Sequence, residues 1–161
     1  SMSNDELSTL IILHGFFRLE TIFSLEDKTE KIFLLESRPR LESAQYMIDE
    51  LTRVNITPTL IADNMVGFLF FRNLVKEVHV TYQDQNSDGI LTLSGGLILA
   101  IMTQKHKVPI YAHPAERKIE LMDDEKSILS FNNESVGYQN VQGYVPLVEW
   151  VPHKYITKIC S

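Results

Sequence analysis

A chain of 161 residues, 44% of them hydrophobic, is long enough to bury a substantial core and reads as an ordinary globular protein. The formal net charge of −6 argues against a broad nucleic-acid or anionic-membrane surface. No apolar run approaches the ~20 residues of a membrane span, and the single cysteine, Cys160, excludes an internal disulfide framework.

The N-terminus lacks the basic region of a secretory signal, so cytoplasm is the expected location. Ser1 before Met2 reads as a cloning remnant; residues 1–8 are then a tag remnant and lead-in, and 9–161 one α/β domain. Short runs rich in Ile, Leu and Val at 9–13, 32–36, 57–62, 77–82 and 108–112 predict strands covered on both faces. Between them, Leu19, Ile22 and Phe23 mark one helical stripe. Leu41, Ala44, Met47, Ile48 and Leu51 mark a stronger one, with Pro39 just ahead of it. Residues 65–71 predict a short helix that starts near a cap at Asp63 or Asn64. Residues 91–104 are apolar nearly all round and predict a helix buried against the sheet. From 116 to 140 the chain turns polar, which predicts a surface excursion without a core of its own. Alternation of strand and helix predicts a Rossmann-like three-layer α/β/α sandwich with a mainly parallel sheet.

In open α/β sheets, ligands sit outside the carboxyl ends of strands. The residues to inspect are therefore Glu36-Ser37-Arg38-Pro39 after the second strand and Asp63 after the third. His14 after the first and Gly95-Gly96 ahead of a helix complete the set. Each has a structural reading beside the functional one. Glu36 and Arg38 can bond backbone groups at a strand-end turn, and Asp63 can cap the next helix. The glycine pair can serve helix–strand packing or leave backbone N–H groups open to an anion. His14 is a candidate base or a hydrogen-bonded neutral side chain. The five histidines show no spacing with Cys or carboxylates that suggests a metal, and no P-loop or Gly-x-Gly-x-x-Gly fingerprint occurs.

Three blocks carry a resemblance: Glu36-Ser37-Arg38-Pro39; Asp63-Asn64-Met65-Val66-Gly67; and an ending with Pro146, Glu149, Pro152 and Ile156-Thr157. Together they resemble a C-terminal domain common to three groups. These are the α, β and δ subunits of translation initiation factor 2B, methylthioribose-1-phosphate isomerase and ribose-1,5-bisphosphate isomerase. The likeness runs from Thr9 to Ile159. It implies the Rossmann-like fold, a homodimer or assembly with related subunits, and a pocket for a phosphorylated small molecule lined by Glu36, Arg38, Asp63, Gly95 and Gly96. It implies no metal or cofactor, no direct nucleic acid and no membrane contact. The family ending also implies a short helix over Tyr155-Ile156-Thr157.

The resembled isomerases carry a cysteine after a Thr-His pair at the end of the first strand; here the stretch is Leu13-His14-Gly15-Phe16. Their second catalytic position, an aspartate ending the fourth strand, falls on Asp84 or on Gln83. An Asn-Lys pair that reaches a phosphate falls on Thr92-Leu93. The resemblance therefore implies a non-catalytic, initiation-factor-like domain acting through assembly. The alternative is a divergent sugar-phosphate isomerase in which Asp84, with His14, shuttles the proton. The apolar run Val66-Gly67-Phe68-Leu69-Phe70-Phe71 is either an internal core helix or, in part, a partner surface.

Overall fold

The computed structural model describes residues 10–26 and 31–161, so Thr9 and the 1–8 lead-in lie outside the described residues. Strands β1 (Leu10–His14) and β2 (Ile32–Leu35) are buried along their whole length. Their side chains alternate between two cores, as the period of two in a strand requires. Leu10, Ile12, Phe33 and Leu35 enter one hydrophobic cluster; Ile11, Leu13, Ile32 and Leu34 enter the other. Helices α1 (Leu19–Glu26) and α2 (Glu42–Arg53) cover the second cluster with Ile22, Leu25, Met47 and Leu51. Helix α3 (Val66–Phe71) and helix α4 (Gly96–His106) cover the first with Val66, Leu69, Phe70, Leu99 and Ala100. The expected three layers are present.

The parallel part of the sheet runs β10-β6-β4-β1-β2-β3, where β3 is Thr59–Ile61, β4 Val75–Gln85, β6 Ile110–Pro114 and β10 Lys158–Ile159. Strand β4 outruns its parallel neighbours. Its far end pairs antiparallel with β5 (Gly89–Leu93), which pairs in turn with β9 (Val148–Pro152). The polar excursion is as expected a surface segment, with a small hairpin of β7 (Ser130–Phe131) and β8 (Glu134–Ser135).

Two elements differ from the sequence reading. Residues 91–93 belong to a strand, and the helix begins only at Gly96. A continuous apolar run fits a buried strand and a buried helix equally well; here Gly95, at φ +104°, turns the chain between them. Nor is α4 buried all round, since Ile98 is 63% exposed. The second difference is at the ending. It is a strand, a 3₁₀ turn (His153–Tyr155) and a second strand rather than a short helix over 155–157. Thr157 instead turns its Oγ1 onto the Ile110 N–H and ties this end to β6. No helix among the described residues is long and apolar enough to cross a membrane.

Candidate functional site

The site lies where β1, β2 and β3 end. Glu36 continues β2 by donating its N–H to the Ile61 carbonyl, and the backbone then turns sharply at Ser37, with φ +62°. Asp63 holds that turn: one carboxylate oxygen accepts the Ser37 N–H at 2.8 Å and the other the Arg38 N–H at 2.7 Å. The reading of Asp63 as a helix cap is thereby corrected, since its side chain makes no cap bond. The carboxylate instead accepts two N–H donors that the turn at Ser37 presents side by side. Ser43 on α2 reaches back to bond the Ser37 hydroxyl at 2.6 Å. Burial, and then the neighbouring charge of Asp63, raise the Glu36 carboxyl above its ordinary pKa, while Arg38 pulls it back.

His14 ends β1 in full burial. Its Nε2 lies 2.9 Å from the Ser94 carbonyl. A carbonyl only accepts, so Nε2 carries the hydrogen and the neutral ring leaves Nδ1 as its acceptor. Nδ1 has no hydrogen-bond partner among the described residues. Burial pushes the His14 pKa below 6.5, against smaller upward pulls from Ser94, Asp63 and Glu149.

The start of α4 carries its own anion. A single Glu149 oxygen accepts the Gly95 N–H at 2.7 Å and the Leu97 N–H at 3.1 Å. Gly95, expected to offer its N–H to a ligand, gives it to β9 instead. Gly96 serves packing, because a Cβ there would fall 2.0 Å from the Thr92 Oγ1. Sequence reasoning matched Glu149 to the family ending without giving it a role; its partners lie 52 and 54 residues away, so no local pattern pointed to them.

Gly15 is enclosed more tightly still. Its φ is +139°, and a Cβ built on it would lie 2.0 Å from the Thr81 Oγ1 and 3.0 Å from the Thr81 backbone nitrogen. That hydroxyl accepts the Phe16 N–H at 3.0 Å, a contact sequence reasoning missed. Asp84 is not brought to the strand ends with the others. It is exposed, and its carboxylate accepts the N–H of Gln85. In the register, His14 faces Val80; Asp84 lies four residues further on, about 13 Å along the strand. The Gln83 amide is engaged elsewhere, donating to the Ile119 carbonyl and accepting the Ile119 N–H.

Arg38 is brought to the site, but its guanidinium points at the excursion. Nη1 donates to the carbonyls of Ser130 at 2.8 Å and Pro39 at 3.2 Å, Nη2 to that of Ile128 at 3.2 Å, and the group lies 5.1 Å above the Phe131 ring. Beneath it is a pocket of about 30 Å³, lined by Ser37, Arg38, Ser43, Ser94 and Leu147. That is room for about two waters. Beside it, between α2 and residues 117–133, opens a cleft of about 950 Å³ walled by Arg40, Arg117 and Lys126 and by the carboxylates Glu42, Asp49, Asp123 and Asp124. Among the described residues no group of three or more His, Cys, Asp and Glu side chains is placed to hold a metal ion.

Comparison with known proteins gives the same outline. Residues 18–161 match the profile of the Initiation factor 2 subunit family. A methylthioribose-1-phosphate isomerase of Thermus thermophilus is 25% identical over 146 residues, covering 83% of this chain and 44% of that protein. The chain thus spans less than half the length of that curated relative. Among solved structures, translation initiation factor eIF-2B, subunit delta, from A. fulgidus superposes with a TM-score of 0.79 at 19% identity, covering 97% of this chain and 55% of that one. The 5-methylthioribose 1-phosphate isomerase from Pyrococcus horikoshii OT3 does so with 0.81, at 19% identity, covering 97% and 52%. At that identity both establish the fold alone.

Proposed function

Because this chain belongs to the Initiation factor 2 subunit family, we propose that it acts as a non-catalytic domain of that family. It works through assembly with a second copy or a related subunit, and keeps a residual strand-end pocket for a phosphorylated small molecule. The observation that carries the reading is Gly15. The position that the resembled isomerases fill with cysteine has a positive φ and no space for a Cβ beside Thr81. Without a group there, and with Asp84 exposed on the far end of β4, two positioned proton carriers are lacking.

Assembly is supported by the outer side of α3 and α4. Val66, Leu69 and Phe70 are buried in the core, whereas Met65, Phe68 and Phe71 are 58%, 60% and 78% exposed. The neighbouring α4 adds Ile98 and Ile101 to this apolar surface. Large apolar side chains grouped in this way mark contact surfaces more often than idle ones. Sedimentation equilibrium tests it: the chain should be a dimer at micromolar concentration, and a monomer across that range would overturn the assembly reading.

The second reading, a divergent sugar-phosphate isomerase, is favoured by the relatives carrying that name. In it His14 Nδ1 and Asp84 share the proton transfer. Turnover of 5-methylthioribose 1-phosphate separates the two. Turnover abolished by Asp84→Asn would establish the enzyme and sink the non-catalytic reading.

A further inference from the structure

Among the described residues, three strands of the large sheet have one open side: β3, β9 and β10. Strand β3 has three residues, and β10 has two, one of them Lys158; β9 has five, Val148–Pro152. Natural edges are kept short or blunted by charge and proline, because a row of unpaired N–H and C=O groups is a template for another strand. On β9 the one charged side chain, Glu149, is turned to the start of α4 and does not guard the edge.

Which backbone groups of β9 face outward follows from its register with β5. At one end the His153 N–H donates to the Asp88 carbonyl, and at the other the Ser94 N–H donates to the Leu147 carbonyl. Both bonds keep the register in which Ile90 faces Val151 and Thr92 faces Glu149. Hydrogen-bonded and non-bonded pairs alternate along an antiparallel ladder, so Glu149 and Val151 bond β5. Val148, Trp150 and Pro152 then turn their backbone groups to the open side. Among the described residues none of these outward groups has a hydrogen-bond partner. Trp150 is also 44% exposed, and Leu121 and Met122, exposed too, lie on the stem that pairs with the chain just before β9.

The outward set is complementary to itself. Placed antiparallel against a second β9 about a twofold axis through Trp150, the two Trp150 residues exchange both backbone bonds. Each Val148 N–H meets the other copy's Pro152 carbonyl, and the proline, lacking an N–H, ends the ladder there. The chain then leaves the strand in the 3₁₀ turn His153–Tyr155, before it would run into the stem bonded to Leu147. The same pairing sets the two indole rings opposite each other on one face, a favourable cross-strand aromatic pair.

We propose that β9 pairs antiparallel with β9 of a second copy of this chain, joining two sheets into one at Trp150. This contact is separate from the α3–α4 surface and does not rest on it. A five-residue edge falls well short of the roughly 1,000 Å² that a stable interface buries, so the expected Kd is about 0.1–1 mM.

Sedimentation equilibrium between about 10 μM and 1 mM, a range that brackets this Kd, tests the pairing. The sequence has a single tryptophan, so intrinsic emission in the wild type reports this one position. The average mass should rise toward about twice its dilute value by mass action, while the Trp150 emission shifts to shorter wavelength. Trp150→Pro removes an outward N–H without touching a bond to β5, and Trp150→Lys puts a charge where the copies meet. Each should weaken the association by about tenfold or more in sedimentation, and the lysine variant serves if the proline variant folds poorly. Phe68→Glu with Phe71→Glu should leave this concentration-dependent step in place. A mass constant over the range, or a rise that both Trp150 variants keep, would overturn the pairing. A rise lost in the phenylalanine variant and kept in both Trp150 variants belongs to α3 and α4 and overturns it equally. The dilute end of the same series decides the assembly reading by itself.

Discussion

Adding one methyl group at Gly15 tests the central step of the functional argument. Gly15→Ala forces a side chain onto φ +139°, a conformation that costs about 1–3 kcal/mol outside glycine. The new Cβ also starts 2.0 Å from the Thr81 Oγ1, 2.9 Å from its Cβ and 3.0 Å from its backbone nitrogen. The hydroxyl can rotate away, but the nitrogen is fixed by the parallel β1–β4 and β4–β6 registers. Overpacking of that kind adds about 1–3 kcal/mol. Rotation of Thr81 further leaves the buried Phe16 N–H without its acceptor, about 1 kcal/mol or more. Together the loss is about 4 kcal/mol, or a fall in Tm of about 8–16 °C for a domain of this size. Thr81→Ala removes the nearest atom, so a double-mutant cycle by urea denaturation should show the pair coupled by about 1 kcal/mol or more. Gly15→Cys should lose as much stability as Gly15→Ala and gain no isomerase turnover. A Gly15→Ala protein within about 0.5 kcal/mol of wild type, or strict additivity with Thr81→Ala, would refute the claim that this position has no room for a side chain.

Asp63→Asn should cost about 2 kcal/mol in urea melts, because an amide keeps the shape but turns a donor toward one of the two N–H groups of Ser37 and Arg38. Glu149→Ala should cost about 1–2 kcal/mol, with the earliest exchange loss in the first turn of α4. Stability should fall as pH drops below 6.5, since the unfolded chain then takes up a proton that buried His14 refuses. The slope is at most about 1.4 kcal/mol per pH unit, and it should flatten in His14→Gln, which keeps a donor for Ser94. Phe68→Glu with Phe71→Glu should convert the dimer expected above to a monomer without lowering Tm appreciably, as both side chains are exposed.

The layers were legible because two-sided burial leaves a plain mark. Ile32-Phe33-Leu34-Leu35 has no polar face, and the helical spacing of Ala44, Met47 and Leu51 allows one buried stripe. Failures came where that mark is ambiguous. Ile90-Leu91-Thr92-Leu93 and Leu97-Ile98-Leu99-Ala100 look alike as apolar runs, and only the turn at Gly95 separates strand from helix. The antiparallel arm of β5 and β9 was illegible for a related reason: Val148-Glu149-Trp150-Val151-Pro152 is an edge strand that alternates weakly, with a half-buried Glu149 turned to α4 and an exposed Trp150 beside it. At the site, which residues gather was readable from their places at strand ends. What each one bonds was not, because Arg38 and Asp63 meet partners 92 and 26 residues away.

Those partners change what the Glu36-Ser37-Arg38-Pro39 motif signifies here. A carboxylate and a guanidinium at a strand end suggest a ligand, yet the Arg38 guanidinium and the Asp63 carboxylate beside it have partners within the fold. Asp63 is taken by the Ser37 and Arg38 N–H groups, Arg38 by the excursion's carbonyls, and the start of α4 by Glu149. Each bond ties a different segment to the same corner: β3 to the β2 turn, the excursion to that turn, and β9 to α4. A motif used in this way holds the shape of the corner whether or not it serves catalysis, because removing any member leaves a charge or N–H group unpaired. Retention of the motif is therefore weak evidence for retained chemistry. The unpartnered acceptor in the same corner, His14 Nδ1, is where a ligand would still find something to bind.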